Sequence, residues 1–135
     1  MTPTLIIALT IWLEAAGEPL AGKVAVAVTI QTRSESRGLA PWQVCLADRQ
    51  FSCWNSRKPN DITTLPTDRA WRQCYKLARF MGRGGRFPAI GGHQFDHYHA
   101  TWIPAPVWSN SMARPVRIGR HLFYDSRTRT QTGGR

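Results

Sequence analysis

Acidic side chains are scarce in this chain. Eight Asp and Glu stand against eighteen Lys and Arg, a formal net charge of +10. Chemistry that needs two carboxylates facing each other therefore has few candidates. The longest apolar run, Leu5 to Leu13, is nine residues, far short of the ~20 that span a bilayer as a helix. That run has no basic segment before it and no convincing cleavage site after it, so synthesis in the cytoplasm is expected. Cysteine is limited to Cys45, Cys53 and Cys74, with no C-x-x-C spacing. An odd number cannot all pair internally, and buried reduced thiols are the expectation. One disulfide would be possible, but spacing does not assign it. The G-x-S-x-G signature of a serine nucleophile is missing, and Ser52 has no local substitute for it. There is no internal repeat and no linker, so 135 residues read as one domain.

What is present is globular. The apolar fraction is 42%, and there are six Trp, whose flat faces and N–H groups suit either a core or a sugar site. The positive charge draws the chain toward polyanions, either nucleic acid or an anionic cell envelope. The cations are mostly Arg, which favours bidentate contacts to phosphate or carboxylate. They are scattered and form no recognisable nucleic-acid motif, so the envelope is the expected partner and nucleic acid is not. A monomer is expected.

Residues 4–16 predict a helix with Leu5, Leu9, Trp12 and Leu13 on one face, stopped by Gly17 and Pro19. Residues 20–33 predict a second helix, with Ala21, Ala25 and Val28 on a closely packed stripe. A loop over 34–41 and a short helix over 41–48 follow. Residues 49–66 are irregular, and 66–81 reads as an amphipathic helix capped by Thr67 or Asp68. After a glycine-rich connection (82–92), residues 93–103 and 116–125 predict extended segments, separated by a turn rich in Pro and Trp. The body is expected to end at residue 125. Residues 126–135 read as a basic, frayed tail.

Three clusters can carry chemistry. Glu14 and Glu18, four apart in LEAAGEP, would share a helix face. Ile11, Trp12 and Leu13 before Glu14 suggest a carboxyl with little water around it, which is what a general acid needs. A solvated helix end is the plainer alternative. The segment QFSCWN supplies Gln50, Phe51, Ser52, Trp54 and Asn55, a set of amides, a hydroxyl and rings that suits a pyranose, although both rings could also be core. In HQFDHYHA, His97 and His99 would point to one face and Tyr98 to the other. Together with His93 they could bind zinc, but Asp96 is the sole nearby carboxylate, and a hydrogen-bonding, sugar-facing edge is favoured.

Taken in order, EAAGEPLAGKVAVAVTIQTR, QFSCWN, DHYHA and VWSNSMARPVRIGRHLFY resemble the catalytic domain of the SleB/CwlJ-type cell wall hydrolases. That family includes spore cortex-lytic enzymes and some phage endolysins. The resemblance spans residues 7–124. It implies an α+β, mainly α, lysozyme-like fold with a helical lobe and a small β region, and peptidoglycan as substrate. It also implies cleavage between N-acetylmuramic acid and N-acetylglucosamine by a lytic transglycosylase, with no metal and no cofactor. Carried over by motif, Glu14 is the catalytic glutamate and Glu18 a supporting one. Gln50, Phe51, Ser52 and Trp54 match the aromatic–polar motif, and His97, Tyr98 and His99 match the H-Y-H segment. Gly119, His121, Phe123 and Tyr124 match a late segment expected to be structural. The sequence departs from the family at Trp12-Leu13 and at Asp96. A phage endolysin that reaches the wall through another protein, such as a holin, is the expected setting. A muramidase, a zinc amidase and a basic nucleic-acid-binding module are the competing readings.

Overall fold

The computed structural model describes residues 1–127. Helix α1 (Pro3–Ala15) begins where Thr2 accepts a hydrogen bond from Leu5 N at 3.2 Å and Pro3 fixes the first turn. Its burial is not confined to one stripe. Ile6, Ile7, Ala8, Leu9, Thr10 and Ile11 are all buried, while Leu5, Trp12 and Leu13 are only partly so. A helix that is apolar all round belongs inside the molecule. α1 is accordingly packed by the three other helices.

Helix α2 (Leu20–Arg37) runs past the expected boundary at Arg33 and ends at Gly38, whose φ of 66° forms a left-handed cap. The loop foreseen from Ser34 thus starts four residues later. Ala25, Val26, Ala27 and Val28 are buried, whereas Ala21 is exposed. Lys23 is buried too, and its ammonium donates to the Glu18 carbonyl. A short helix, α3 (Pro41–Leu46), follows.

Helix α4 (Arg69–Gly82) opens at Asp68, which accepts from Trp71 N at 2.7 Å and also from the Trp12 indole at 3.2 Å. Its buried stripe is Trp71, Cys74, Ala78 and Met81. Burying each large side chain of this kind contributes about 1.5–3 kcal/mol.

The β region is a three-stranded antiparallel sheet in the order β1-β3-β2, with β1 His97–Ala100, β2 Val116–Ile118 and β3 His121–Tyr124. The strands occupy only part of the extended segments expected over 93–103 and 116–125. The second one splits into a hairpin, and the split falls at Gly119, with φ 60°. A Cβ there would lie 2.5 Å from Glu18 Oε1, so the turn needs glycine both for its backbone angle and for that close approach. Between β1 and β2, Val107–Ser111 forms a 3-10 turn.

The mainly helical α+β architecture is the one expected. The tail is corrected at its start. Ser126 donates from both N and Oγ to Asp96, and Arg127 pairs with Asp125 at 2.7 Å, so both residues are held by the body. Residues 128–135 lie outside the described part.

Candidate active site

A groove of about 860 Å³ lies between the helical lobe and the sheet. The last turn of α1 brings Glu14 into it. Glu14 Oε2 accepts from Ser52 Oγ and from Cys53 N, each at 3.1 Å, and Oε1 accepts from the Tyr98 hydroxyl. Of the apolar residues before it, Leu13 lines the groove with it, while Ile11 and Trp12 do not. Ile11 turns into the core, and neutral polar donors from a loop and a strand enclose the carboxyl. Loss of hydration, reinforced by the Glu14 charge, holds the Tyr98 phenol well above the ordinary tyrosine range. Tyr98 thus stays a donor. Its ring packs 5.2 Å from Phe123 and 5.3 Å from His121.

Glu18 is not on the helix with Glu14. It lies in the connection to α2, with 4% of its side chain exposed. It accepts from Arg120 N at 2.7 Å and Arg120 Nε at 3.1 Å. Burial works against its charge, but the two bonds from Arg120, with His121 and the Arg120 charge behind them, hold its carboxyl below the ordinary value. Asp96 is similar. Its carboxylate accepts from His97 Nδ1 at 2.9 Å and from Ser126 N and Oγ. These bonds overcome partial burial and keep its carboxyl low. Among the described residues, Glu14, Glu18 and Asp96 are the carboxylates that line the groove.

The QFSCWN segment divides. Gln50, Ser52 and Asn55 line the groove. Phe51 does not. It is 2% exposed, deep in the core, with the Arg33 guanidinium 4.9 Å from its ring centre. Trp54 turns the other way, and its indole donates to Thr10 Oγ1 at 2.9 Å. Neither ring is available to stack on a sugar from within the groove. Besides Tyr98 and the histidines, the rings that line it are Trp102 and Trp108, which the sequence did not single out. Trp102 is 67% exposed with the Arg120 guanidinium 5.5 Å from its ring centre. Trp108 packs against His97 at 4.8 Å. The available signal was a Pro-rich stretch, TWIPAPVW, too poor in core pattern to bury two indoles.

His97 borders the groove. His99 is buried and fully engaged. Its Nδ1 donates to the Ala100 carbonyl at 2.9 Å, so Nε2 accepts from the Tyr124 hydroxyl at 2.9 Å. His93 stacks on Phe95 elsewhere. The three histidines do not converge, and no cluster of three metal-ligating side chains occurs among the described residues.

His121, expected to be structural, lines the groove. Its Nδ1 lies 3.4 Å from Glu18 Oε1 without forming a hydrogen bond. Burial lowers its proton affinity against the pull of Glu18. Arg33 was also missed. It stands three residues after buried Ile30 on α2, so a cation continuing an apolar stripe was the signal. Its guanidinium donates to the carbonyls of Asp96 at 2.8 Å and Gln50 at 2.6 Å, tying the sheet to the loop. None of the three cysteines is paired. Burial pushes Cys45 and Cys74 up to about 12 and raises Cys53 as well, so none is a poised thiolate.

The arrangement offers one carboxyl held by neutral donors in a groove lined by both polar side chains and indoles. That suits acid–base work on a glycan. Comparison with solved structures gives the catalytic domain of the Bacillus cereus SleB protein, with a TM-score of 0.66 and 22% identity, covering 91% of this chain and 89% of that one. The fold is thus lysozyme-like. No curated protein matches the chain. The sequence pattern of the family described as Cell Wall Hydrolase matches residues 17–124. That span takes in Ser52, Cys53 and Tyr98, the donors to Glu14, and begins just after Glu14 itself. No helix among the described residues is long and apolar enough to cross a membrane. Since the match covers most of the chain, the protein belongs to the SleB/CwlJ-type cell wall hydrolase family, enzymes that degrade peptidoglycan.

Proposed function

We propose that the chain cuts the glycan strand between N-acetylmuramic acid and N-acetylglucosamine as a lytic transglycosylase, with Glu14 as acid and then base. The observation that carries this reading is the inequality of the three groove carboxylates. Glu18 is fixed by Arg120, and both oxygens of Asp96 are occupied by His97 and Ser126. Both are held in the charged form, unable to give a proton at neutral pH. Glu14 instead accepts its hydrogen bonds from the Ser52 hydroxyl, the Cys53 N–H and the Tyr98 hydroxyl, with no cation bonded to it.

In the first step Glu14 protonates the glycosidic oxygen, and an oxocarbenium-like centre develops at the muramyl C1. The C4 hydroxyl of the leaving N-acetylglucosamine departs with that proton. In the second step the Glu14 carboxylate takes the proton of the muramyl C6 hydroxyl, whose oxygen bonds to C1 and closes a 1,6-anhydro ring. Glu14 ends as it began. A hydrolase usually needs a second carboxyl opposite the first. Here the C6 hydroxyl, tethered to the same ring, is the nucleophile at high effective concentration. Trp102 and Trp108 supply sugar-stacking faces, while Gln50, Ser52, Asn55 and His97 supply hydrogen bonds along the strand.

Digestion of purified peptidoglycan, followed by borohydride reduction and mass spectrometry, tests this. The expected muropeptides are one water lighter than lysozyme products and resist reduction. Reducible N-acetylmuramic acid ends would make the enzyme a muramidase. Released peptides with intact glycan would make it an amidase.

A further inference from the structure

The groove is chemically unequal along β1. At the Ala100 end, Thr101 N donates to the Arg120 carbonyl, and the Arg120 guanidinium is already neutralised by Glu18. The middle belongs to Tyr98 and Glu14. At the His97 end the one lining carboxylate, Asp96, is bonded to His97 and Ser126 and not to an arginine side chain. Arg33 reaches the carbonyls of Asp96 and Gln50 there. Arg37 follows Arg33 by one turn of α2, Arg49 precedes Gln50, whose carbonyl Arg33 holds, and all three arginines line the groove.

Arg33 is engaged by those carbonyls and by Phe51. The Arg37 and Arg49 side chains have no hydrogen-bonded or ion-paired acceptor among the described residues. Glu35, the nearest acid on α2, is taken by Arg86 at 2.7 Å. Asp48, beside Arg49 in the chain, is exposed and outside the groove lining. Arg49 also has a φ of 58°, the left-handed region that residues with a Cβ seldom enter. Arg33 and Arg37 repel each other across one turn of α2, and backbone strain of the kind found at Arg49 concentrates at ligand clamps.

We infer that this end of the groove binds the carboxylates of the peptide stems carried by the glycan, with Arg37 and Arg49 as the specificity-determining contacts. The inference rests on peptidoglycan being the substrate. A strand lying past Glu14 brings a stem into the groove on each muramic unit, so an anion carried by the strand itself must pass this point. The planar fork of arginine matches a carboxylate with two parallel bonds. Wall phosphate polymers are the other anions of an envelope. One attached at the muramyl C6 oxygen would remove the hydroxyl that the proposed ring closure uses.

Binding tests this without relying on cleavage. The full chain carrying Glu14→Gln is titrated with phosphate-free peptidoglycan strands bearing native stems. A second titration uses the same strands with stem carboxylates converted to methylamides. Binding is expected to weaken about tenfold on amidation, the size of two partly exposed ion pairs lost together. Adding Arg37→Gln and Arg49→Gln should make the protein bind native strands as weakly as amidated ones, with an unchanged circular dichroism spectrum. Adding Lys76→Gln and Arg79→Gln instead, an equal loss of charge on the exposed face of α4, should preserve the tenfold preference. Equal binding to native and amidated strands before any arginine is changed would overturn the inference. So would equal loss of preference in the α4 control, which would mean bulk charge alone. A tenfold preference in a protein whose wild type leaves the glycan uncut would keep this inference and remove the cleavage mechanism.

Discussion

The Tyr98 hydroxyl donates to Glu14 Oε1, joining the second residue of β1 to the last turn of α1. This bond spans the groove between the two lobes. With Ser52 Oγ and Cys53 N on the other oxygen, it fixes the carboxyl in place before substrate arrives, and such prior positioning lowers the barrier.

Glu14→Gln is expected to abolish wall lysis while the protein stays folded. The amide oxygen can still accept from Cys53 N and Ser52 Oγ, and the amide NH2, in the place of Oε1, can donate to the Tyr98 hydroxyl oxygen. It cannot deliver a proton. Loss of general acid–base catalysis is worth about 10²- to 10⁴-fold. Near-normal turnover of purified, folded Glu14→Gln would remove Glu14 from the mechanism.

Tyr98→Phe keeps the ring against Phe123 and His121 and deletes one donor to Glu14. A net hydrogen bond of about 1–1.5 kcal/mol corresponds to a roughly tenfold drop in kcat. The KM and melting temperature should change little. A raised KM with kcat intact would make Tyr98 a substrate contact instead of a positioning residue.

Glu18 ties the α1–α2 connection to the β2–β3 turn, so its charge should matter for stability. Its carboxyl lies below the ordinary 4.5 in the folded state. The unfolded chain therefore binds the proton more tightly, and the stabilisation is complete above about pH 4.5 and lost as pH falls through the folded value. Asp96 and Asp125, both also lowered, act in the same direction. Thermal melts should show wild type losing stability from about pH 4.5 downward. Glu18→Gln should start about 1–3 kcal/mol less stable at neutral pH and show a shallower acid decline. Parallel curves for the two proteins would mean that Glu18 carries none of the pH dependence.

Phe51→Ala and Trp102→Ala separate core from groove. The first removes a ring that is 2% exposed and should cost about 3–5 kcal/mol. The second removes an exposed ring and one cation–π contact, a change within about 1 kcal/mol, yet it should raise KM on peptidoglycan. Denaturant melts and wall-turbidity kinetics give both numbers. An unstable Trp102→Ala with normal KM would return Trp102 to a structural role.

Local sequence determined a good deal of this protein. The caps Thr2, Asp68 and Gly38, the apolar stretch of α1 and the stripe of α4 set the helices, because caps and 3.6-residue periodicity act within a few residues of chain. The spacing of Glu14 and Glu18 and the H-Y-H strand were also legible, as was the scarcity of carboxylates. What the tertiary structure alone decided were the partners. Arg120 reaches Glu18 across 102 positions, and Tyr98 reaches Glu14 across 84. No local pattern specifies bonds at that separation. Two carboxylates that looked like a matched pair became one clamped by a cation and one held by neutral hydroxyls and an amide. The rings divided in the same way. Phe51 went into the core and Trp54 packed against it, while Trp102 and Trp108 line the groove, since an aromatic side chain reads the same in sequence whichever surface it meets, and packing of the other elements decides which surface that is.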